Sequence, residues 1–455
     1  MATASRGQWS GKTGFILAAA GSAIGLGNIW RFPYTAGENG GGAFVLVYLL
    51  FVLLIGVPVI LAELSLGRRT ERNAVGAFKA LFPETKWHWL GGLGVATGFG
   101  ILAFYAVIAG WTLWYLWEAL LGGFSGSVSL EQSQTMFASL TSDPFLAIFF
   151  TAVFLALTVF VVRGGISKGI ERTTKILMPL LLIILILLAI RSLTLEGGME
   201  GLVYLFKPDF SKITFSVVMN ALGQALFSLS LGMGAMITYG SYFPKGENLA
   251  QAGAAVALFD TLIALLAGVI IFPAIFSAGV DPGGGPGLVF VVLPTIFGSM
   301  PAGSFFAIAF YALLAIAALT STISLLEVVV AYFVDERDWE RPKAAITIGT
   351  ICFVIAIPSA LAAGGSEFFT TFLGPGKDFL SVQNIIWGNY SLGIGALLLC
   401  VFVGWKWGVP KALESLESGG YNMPAGSFWG VLIRYVCPLA VGLVLAFIIF
   451  TKQYM

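Results

Sequence analysis

The sequence predicts an all-α polytopic membrane protein, and two observations support this fold class. Only 10% of the 455 residues are charged and 58% are hydrophobic, whereas soluble proteins carry about 25% charged residues. Long stretches such as 145–162 and 176–190 are almost free of charge, and about 20 apolar residues suffice for a helix to cross a bilayer. The lipid bilayer is therefore the main solvent of this chain.

A scan for apolar stretches, broken at charges and at Gly/Pro clusters, gives eleven candidate spans. They lie at 12–36, 41–67, 89–122, 144–162, 173–194, 214–241, 251–277, 305–334, 344–363, 380–405 and 428–451. The first could be read as a signal peptide, but Asn28, Arg31 and Glu38 follow its apolar core and a second span begins at once.

The distribution of positive charge predicts the orientation. With the N-terminus in the cytoplasm, 17 of the 24 Lys and Arg residues lie on the cytoplasmic side, as the positive-inside rule requires. Eleven spans then place the C-terminus outside the cytoplasm. Short loops, and an N-x-S/T sequon at Asn389 that lies within a span, favour a bacterial inner-membrane protein.

Composition also excludes several classes of partner. The net charge of +1 and the lack of a basic stripe exclude nucleic acid as a partner. The cysteines Cys352, Cys400 and Cys437 all lie in apolar stretches, so they predict neither a disulfide framework nor a metal cluster.

Two spans are interrupted by glycines in the same way. The interruptions are GSAIGLGN at 21–28 and SLSLGMG at 228–234. Glycine costs about 1 kcal/mol relative to alanine inside a helix, so each interruption needs a reason. Close helix packing through small residues is one explanation.

The positions of these interruptions favour another explanation. They fall in spans one and six, the matching places of two halves of five spans, 12–194 and 214–405, which leaves 428–451 as an extra helix. An odd number of spans in each half inverts the second half in the membrane. Broken helices at matching positions of inverted repeats indicate the midplane site of a secondary transporter, where freed carbonyls can bind a cation.

The residues around the first interruption resemble a known signature. The run AGSAIGLGNIWRFP at 20–33, followed by ENGGGAF at 38–44, is similar to that of the neurotransmitter:sodium symporters. Further matches are AELSLGR around Glu63, Tyr105 ahead of Trp111, the segment 227–234, and LTST at 319–322. The resemblance covers essentially the whole chain and is closest to LeuT-type bacterial members.

This resemblance implies the LeuT fold, with a 5+5 inverted repeat, broken helices one and six, and one extra helix. It also implies sodium-coupled symport by alternating access, with two sodium ions per substrate. The usual twelfth span is absent from this sequence, so the dimer contacts of the family, and hence the oligomeric state, stay open.

Two sodium sites follow from the resemblance, built from the oxygen ligands that hard cations prefer. The second site would use the carbonyls of Gly21, Ile24 and Ala317 with the hydroxyls of Thr320 and Ser321. The first would use the carbonyl of Ala23, the amide oxygen of Asn28, Ser228, Asp260 and the substrate carboxylate. Alternatively, Thr320 and Ser321 bond the helix carbonyl one turn earlier.

Asp260 departs from the family pattern, which usually has Asn there. An acid inside a span is costly to insert, which favours a functional role over a snorkelling residue near a helix end. Chloride-dependent relatives hold an anion with groups that match Tyr48, Gln224 and Ser228. Because a carboxylate at 260 can replace that charge, we expect chloride-independent transport.

The substrate site also follows from the resemblance. Gly25 stands where monoamine transporters have Asp, which points to a substrate with its own carboxylate, and Tyr105 would donate to that carboxylate unless it only bonds a neighbouring helix. Apolar pocket residues imply hydrophobic L-amino acids, aliphatic and aromatic, with Met233 adding breadth unless it is plain core. The implied substrate-binding residues are Ala23, Ile24, Gly25, Leu26, Gly27, Ile101, Tyr105, Phe227, Ser228, Ser230, Met233, Ser321, Ser324 and Leu325.

Alternating access needs a gate on each side of the substrate. The resemblance implies an outer gate of Arg31, Tyr105 and Phe227, with Asn384 in place of the family's acidic partner of Arg31. The inner gate would use Arg6, Trp9, Ser241, Tyr242 and Asp335, and Glu63 would brace the broken backbone of span one. The glycine-rich segment 281–287 looks like the family's outer lid. Gly169 and Pro179 could let the start of span five unwind.

Other functions remain to be weighed. An intramembrane enzyme needs a nucleophile–base set or metal ligands, but the one histidine, His88, lies in a predicted loop between tryptophans. A channel needs a filter-like motif, and none is visible. A transceptor that signals without flux stays open. A proton-coupled carrier of the same fold is the nearest alternative.

Overall fold

The computed structural model describes residues 7–282, 287–374, 376–423 and 425–454, and these ranges are built from α-helices joined by short loops. The apolar helices follow the predicted spans, and we number them in chain order. Spans one to five are Lys12–Ala23 with Gly27–Glu38, Gly42–Thr70, His88–Leu120, Pro144–Val162 and Ile166–Leu193. Spans six to eleven are Phe215–Ser228 with Ala235–Gly240, Leu249–Ser277, Gly303–Arg337, Arg341–Ala360, Phe379–Glu417 and Gly426–Thr451.

Spans one and six are broken where the glycines predicted. The two halves of span one meet at an angle of 52°. In span six the backbone between the half-helices turns through positive φ at Ser230 (54°), Gly232 (84°) and Gly234 (74°). Gly232 is required there for a second reason, since a Cβ atom on it would lie 2.4 Å from the carbonyl oxygen of Leu392 in span ten.

In the described ranges, nine continuous helices are long and apolar enough to cross a membrane, and the bent pair of span one makes a tenth. The two short halves of span six together supply a further crossing, so the predicted total of eleven fits.

Two span boundaries differ from the prediction by more than three residues. Span five begins at Ile166 rather than 173, because a π-helical turn with the buried Glu171 precedes its regular part. Span ten continues to Glu417 rather than 405. Its last part, Val409–Glu417, is a charged amphipathic helix that packs on span two, and charge alone made it look like a loop.

Burial separates the inner spans from the lipid-facing ones. Span eight is 83% buried over its most apolar stretch and span three 72%, whereas span five is only 33% buried. On span five Ile176, Ile183 and Ile190 are each about 60% exposed, at the helical spacing of one face. Spans one, three, six and eight therefore enclose the centre of the molecule, where both breaks lie.

Candidate functional site

Three polar side chains from different spans meet beside the break of span one. The amide nitrogen of Asn28, in span one, donates to Ser228 Oγ (3.0 Å) in span six and to Asp260 Oδ1 (2.7 Å) in span seven. Ser228 Oγ donates to Asp260 Oδ2 at 2.8 Å. All three residues are fully buried. The predicted side-chain ligands of the first sodium site are thus brought together by three different spans, and Asp260 is a core residue rather than a snorkelling one.

The neighbours expected from the chloride-dependent relatives surround this cluster. Tyr48 is fully buried beside Asp260. Gln224 donates from Nε2 to the carbonyl oxygen of Gly27 at 2.9 Å. The Asp260 carboxylate therefore lies within the set of groups that would otherwise hold an anion.

Hydroxyls of span eight meet the carbonyls of the first break. Thr320 Oγ1 donates to Ala317 O (3.0 Å) and lies 3.5 Å from Ile24 O. Ser321 Oγ lies 3.3 Å from both Ser22 O and Ile24 O. These oxygens include four of the five predicted ligands of the second sodium site, and the carbonyl beside Ser321 is that of Ser22 rather than that of the predicted Gly21. They are neutral, and their convergence goes beyond the back-bonding that each hydroxyl could make in an isolated helix.

A small central cavity of about 30 Å³ lies between these two clusters. Most of the predicted substrate residues line it, and so do two that were not predicted, Ser22 and Leu392. The predicted residues in its wall are Ala23, Gly25, Gly27, Ile101, Tyr105, Phe227, Ser228, Ser230, Met233, Ser321 and Leu325. This lining combines serine hydroxyls with apolar side chains.

Three predicted pocket residues have other positions in the described part of the chain. Ile24 presents its carbonyl to the span-eight hydroxyls, while Leu26 lines the larger outer cavity. Ser324 turns its hydroxyl to the carbonyl oxygen of Ser321 at 2.8 Å. A hydroxyl bonded within its own helix is withdrawn from the cavity, so a serine on the right helix face need not line the pocket.

Tyr105 and Gly25 fix the shape of the first break. Tyr105 Oη accepts a hydrogen bond from Leu26 N at 2.9 Å. A Cβ atom on Gly25 would lie 2.4 Å from Ser321 Oγ and 2.7 Å from Tyr105 Oη. Gly25 therefore has a steric reason to be glycine, in addition to the substrate preference that the resemblance implies.

A much larger vestibule of about 700 Å³ lies above the central cavity. Gly27, Tyr105 and Phe227 line both spaces and so form the partition between them. The Arg31 guanidinium lies 4.2 Å from the centre of the Phe227 ring and hydrogen-bonds with Tyr34. The predicted outer gate thus stands between the two cavities. Asn384 lines the same vestibule as Arg31.

The opposite end is closed by the N-terminal segment. Trp9 is 3% exposed, and its backbone nitrogen donates to Tyr242 O (3.2 Å) while its indole donates to Tyr239 O (3.0 Å). Ser241 lies between these two tyrosines and donates to Thr238 O at 2.6 Å. The structure therefore has an open vestibule at one end and a seal at the other.

Asp335, another predicted member of the inner gate, accepts hydrogen bonds from the backbone and the side chain of Asn73, both at 3.1 Å. Asn73 in turn caps the start of the short helix Ala74–Leu81. Arg6 lies outside the described residues, as do residues 283–286 of the predicted lid.

Glu63 corrects one prediction. We expected it to brace the break of span one, but its carboxylate accepts hydrogen bonds from backbone nitrogens of the second break. These are Gly232 at 2.7 Å, Met236 at 3.2 Å and Ile237 at 3.4 Å. Met236 and Ile237 lie in the first turn of Ala235–Gly240, where a helix has unpaired N–H groups that favour negative charge.

Sequence reasoning missed a buried ion pair behind the inner seal. Glu327 of span eight is fully buried, accepts a hydrogen bond from Tyr242 Oη (2.8 Å), and pairs with Arg341 of span nine (2.6 Å). The signal was present, because an acid in an apolar span needs a partner. The identity of that partner depends on how spans six, eight and nine pack.

Comparisons with known proteins agree with this architecture. The sodium:neurotransmitter symporter family matches residues 6–138 and 142–455. The uncharacterized sodium-dependent transporter YhdH of Bacillus subtilis (strain 168) is 42% identical over 435 residues, covering 95% of this chain and 96% of its own length. An uncharacterized sodium-dependent transporter of Haemophilus influenzae is 37% identical over 446 residues, with 96% of both chains covered.

A solved structure is similar over nearly the whole chain. MhsT in complex with L-phenylalanine superposes with a TM-score of 0.89 and 47% sequence identity, covering 97% of this chain and 99% of that one. The broken helices, the polar clusters beside them and these similarities agree on one architecture, the LeuT fold. The chain therefore belongs to the sodium:neurotransmitter symporter family, whose members are sodium-dependent membrane transporters.

Proposed function

We propose that this protein imports hydrophobic L-amino acids, aliphatic and aromatic, together with two sodium ions and without chloride. The observation that carries the proposal is the cluster of Asn28, Ser228 and Asp260, which reaches the wall of the central cavity through Ser228. Its oxygen atoms suit a sodium ion, and a substrate carboxylate at the same wall would share that ion. A shared ligand couples the binding of sodium to the binding of substrate.

The wall of the cavity supports the substrate class. Ile101, Phe227, Met233 and Leu325 belong to its lining, which contains no charged side chain among the described residues, and a fixed charge would not suit an aliphatic or aromatic side chain there. The similar MhsT was solved with L-phenylalanine. The cavity of about 30 Å³ is smaller than such a side chain, so binding requires the partition residues to move outward.

The neutral cluster at Thr320 and Ser321 supports a second ion. The Ile24 carbonyl oxygen lies within about 3.5 Å of both hydroxyls, and Thr320 also bonds the Ala317 carbonyl. None of these four oxygens carries a formal charge. With two sodium ions per zwitterionic substrate, two charges enter the cell in each cycle. Each charge contributes about 2.3 kcal/mol per 100 mV of membrane potential, so accumulation should respond to voltage.

The topology proposal completes this function. Spans one to five and six to ten form two inverted halves, 12–194 and 214–405, and 428–451 is an added helix. The N-terminus lies in the cytoplasm of a bacterium and the C-terminus outside the inner membrane. The vestibule of about 700 Å³ then opens outward, and Trp9 seals the cytoplasmic end.

The test is uptake of radiolabelled L-leucine and L-tryptophan into proteoliposomes of defined lipid. An inward sodium gradient should drive accumulation of both, and a negative interior should increase it. Replacing chloride by gluconate should leave the rate unchanged. Ser321→Ala should weaken the sodium dependence, whereas Ser139→Ala, whose hydroxyl bonds the Met136 carbonyl on the exposed helix Leu130–Ser142, should not.

The same experiment separates the alternatives. Accumulation driven only by a proton gradient at zero sodium would contradict both sodium sites. Binding of the amino acid without uptake or counterflow would favour a transceptor. Loss of uptake in gluconate would contradict the role of Asp260 while leaving sodium coupling intact.

A further inference from the structure

Spans ten and eleven meet at an exposed cluster of one arginine and two aromatic residues. The Arg434 guanidinium lies 5.1 Å from the ring centre of Trp405 and 5.9 Å from that of Tyr435. The two rings contact each other edge to face at 5.7 Å. Trp405 and Tyr435 are 57% and 53% exposed, and Arg434 is exposed as well. We call these three residues the arginine–aromatic cluster.

The backbone is shaped to hold this cluster. Both helices widen to π-helix there, at Phe402–Gly408 and Leu432–Val436. The Trp405 indole donates to the carbonyl oxygen of Arg434 at 3.0 Å. A Cβ atom on Gly404 would lie 2.9 Å from Arg434 Cα, so the glycine lets the two helices touch. The ring of Trp405 is therefore fixed beside the guanidinium by a hydrogen bond and by close backbone packing.

The depth of Arg434 makes its charge costly without a partner. Span eleven has 26 residues, or about 39 Å of helix, against about 30 Å of hydrocarbon. If the excess is shared between its ends, the ninth residue lies roughly 8 Å inside the hydrocarbon boundary. A charged side chain at that depth either snorkels to the interface or finds a counter-charge.

The described residues do not supply that counter-charge. In the described ranges the ion pairs involve Arg69, Lys79, Lys175, Lys245 and Arg341, not Arg434. Lys406, the neighbour of Trp405, is exposed and lies over the Phe82 ring at 4.9 Å, and it too has no acidic partner among them. The surface therefore keeps a net positive charge at this point.

We propose that the arginine–aromatic cluster binds the phosphate of an anionic phospholipid. The two rings contact the guanidinium, while a guanidinium's edge N–H groups can form a bidentate pair with phosphate oxygens. Trp and Tyr are the residues that sit at the headgroup level of a bilayer. A negatively charged leaflet attracts basic residues near its surface, and Lys406 adds to that attraction. A free phosphate would not bring the acyl chains that the exposed apolar flank of span eleven can contact.

The experiment compares two lipids on the purified full-length protein. Phosphatidylglycerol and phosphatidylcholine with the same acyl chains are titrated into the detergent-solubilised protein, and bound lipid is counted by native mass spectrometry while thermal unfolding is followed. We expect phosphatidylglycerol to bind more tightly and to raise the unfolding midpoint more than phosphatidylcholine does. Equal binding of both lipids by the unchanged protein would overturn the proposal.

Variants locate the effect. Arg434→Gln should weaken phosphatidylglycerol binding roughly tenfold or more, as for loss of a charge-assisted hydrogen bond. It should weaken phosphatidylcholine binding less, because the choline ammonium already offsets the charge of that lipid's phosphate. Arg434→Lys keeps the charge but loses the bidentate fork, so its affinity for phosphatidylglycerol should lie between those of the unchanged protein and of Arg434→Gln. It serves as the test if the glutamine variant does not fold. Retention of the phosphatidylglycerol preference by both variants would refute the site.

Arg191→Gln is the matched control. Arg191 is half-buried and lies over one ring, that of Phe306 at 5.6 Å, but its guanidinium bonds the Thr194 hydroxyl. This variant should keep the preference. An equal loss in Arg191→Gln and Arg434→Gln would mean that any surface charge suffices, which contradicts a specific site.

Discussion

Replacing Asp260 by Asn tests the coupling chemistry most directly. Asn has nearly the same shape but no charge, so the packing around residue 260 should be kept. In the native protein the carboxylate accepts hydrogen bonds from Asn28 Nδ2 (2.7 Å) and Ser228 Oγ (2.8 Å). With an amide at 260, one of these bonds can persist to the amide oxygen, and the Ser228 hydroxyl must turn to accept from the amide nitrogen.

The size of the effect follows from the charge that is lost. A hydrogen bond to a charged group contributes about 1.5–3 kcal/mol, and a neutral one about 1 kcal/mol. With Asn at 260 a bound sodium ion would keep an oxygen ligand but lose its charge, so the expected loss is the difference between these two values, about 0.5–2 kcal/mol. We therefore expect the sodium concentration for half-maximal uptake to rise roughly 2- to 30-fold in chloride-free buffer.

The assay is the sodium dependence of L-leucine uptake in proteoliposomes, measured in gluconate and in chloride. If the carboxylate replaces an anion, chloride should partly rescue Asp260→Asn, because Tyr48, Gln224 and Ser228 still surround the position. An Asp260→Asn protein with unchanged sodium dependence in gluconate would refute the assignment. Glu118→Gln, which removes a half-buried acid near the end of span three, is the control and should behave as the unchanged protein.

Three further substitutions probe the breaks and the inner seal. Glu63→Gln removes the charge that three backbone N–H groups share, so it should lower the thermal unfolding midpoint and slow uptake, each lost charged bond costing about 1.5–3 kcal/mol. Gly25→Ala places a Cβ atom 2.4 Å from Ser321 Oγ, and should abolish substrate binding measured by scintillation proximity. Glu327→Gln leaves Arg341 without its partner at a buried pair, a change that costs up to about 3–5 kcal/mol, and should favour the inward-open state measured by labelling of a cysteine placed at the seal.

The predictions for Gly25 and Glu327 each have a control variant that should behave differently. Gly92→Ala in span three has open space around its Cβ position and should bind substrate normally. Ser241→Cys is the labelling position for the seal, because Ser241 is 7% exposed in the closed arrangement. Adding Arg341→Gln to Glu327→Gln removes both charges of the pair and should restore slow labelling. If the double variant labels as fast as the single one, the ion pair is not what holds the seal.

The sequence predicted features that leave a local signature. The breaks could be predicted from the glycines at 21–28 and 228–234, and the spans from the length of the apolar stretches. Both features are determined by residues that are close together in the sequence. The resemblance placed Asn28, Ser228 and Asp260 in one site, and the structure brings them within hydrogen-bond distance.

Other features depend on packing between distant segments and could not be predicted in this way. Which break Glu63 contacts is decided by how span two lies against span six, and Leu392 enters the cavity only because span ten approaches Gly232. Ser324 has the right helical spacing for the pocket, but its hydroxyl bonds its own helix. The charges of Val409–Glu417 suggested a loop, but in the structure this segment is an amphipathic helix that packs on span two.

Glu63 makes the two broken spans electrostatically unequal. Each broken span has a second half-helix whose N-terminus carries partial positive charge. The N-terminus at Ala235 is already neutralised by the Glu63 carboxylate, whereas the one at Gly27 faces the cavity. A zwitterion entering this space therefore meets one electropositive helix end, and only one head-to-tail alignment satisfies its carboxylate. Its side chain is then oriented before any apolar contact selects among amino acids, so recognition of the backbone and recognition of the side chain become separable steps.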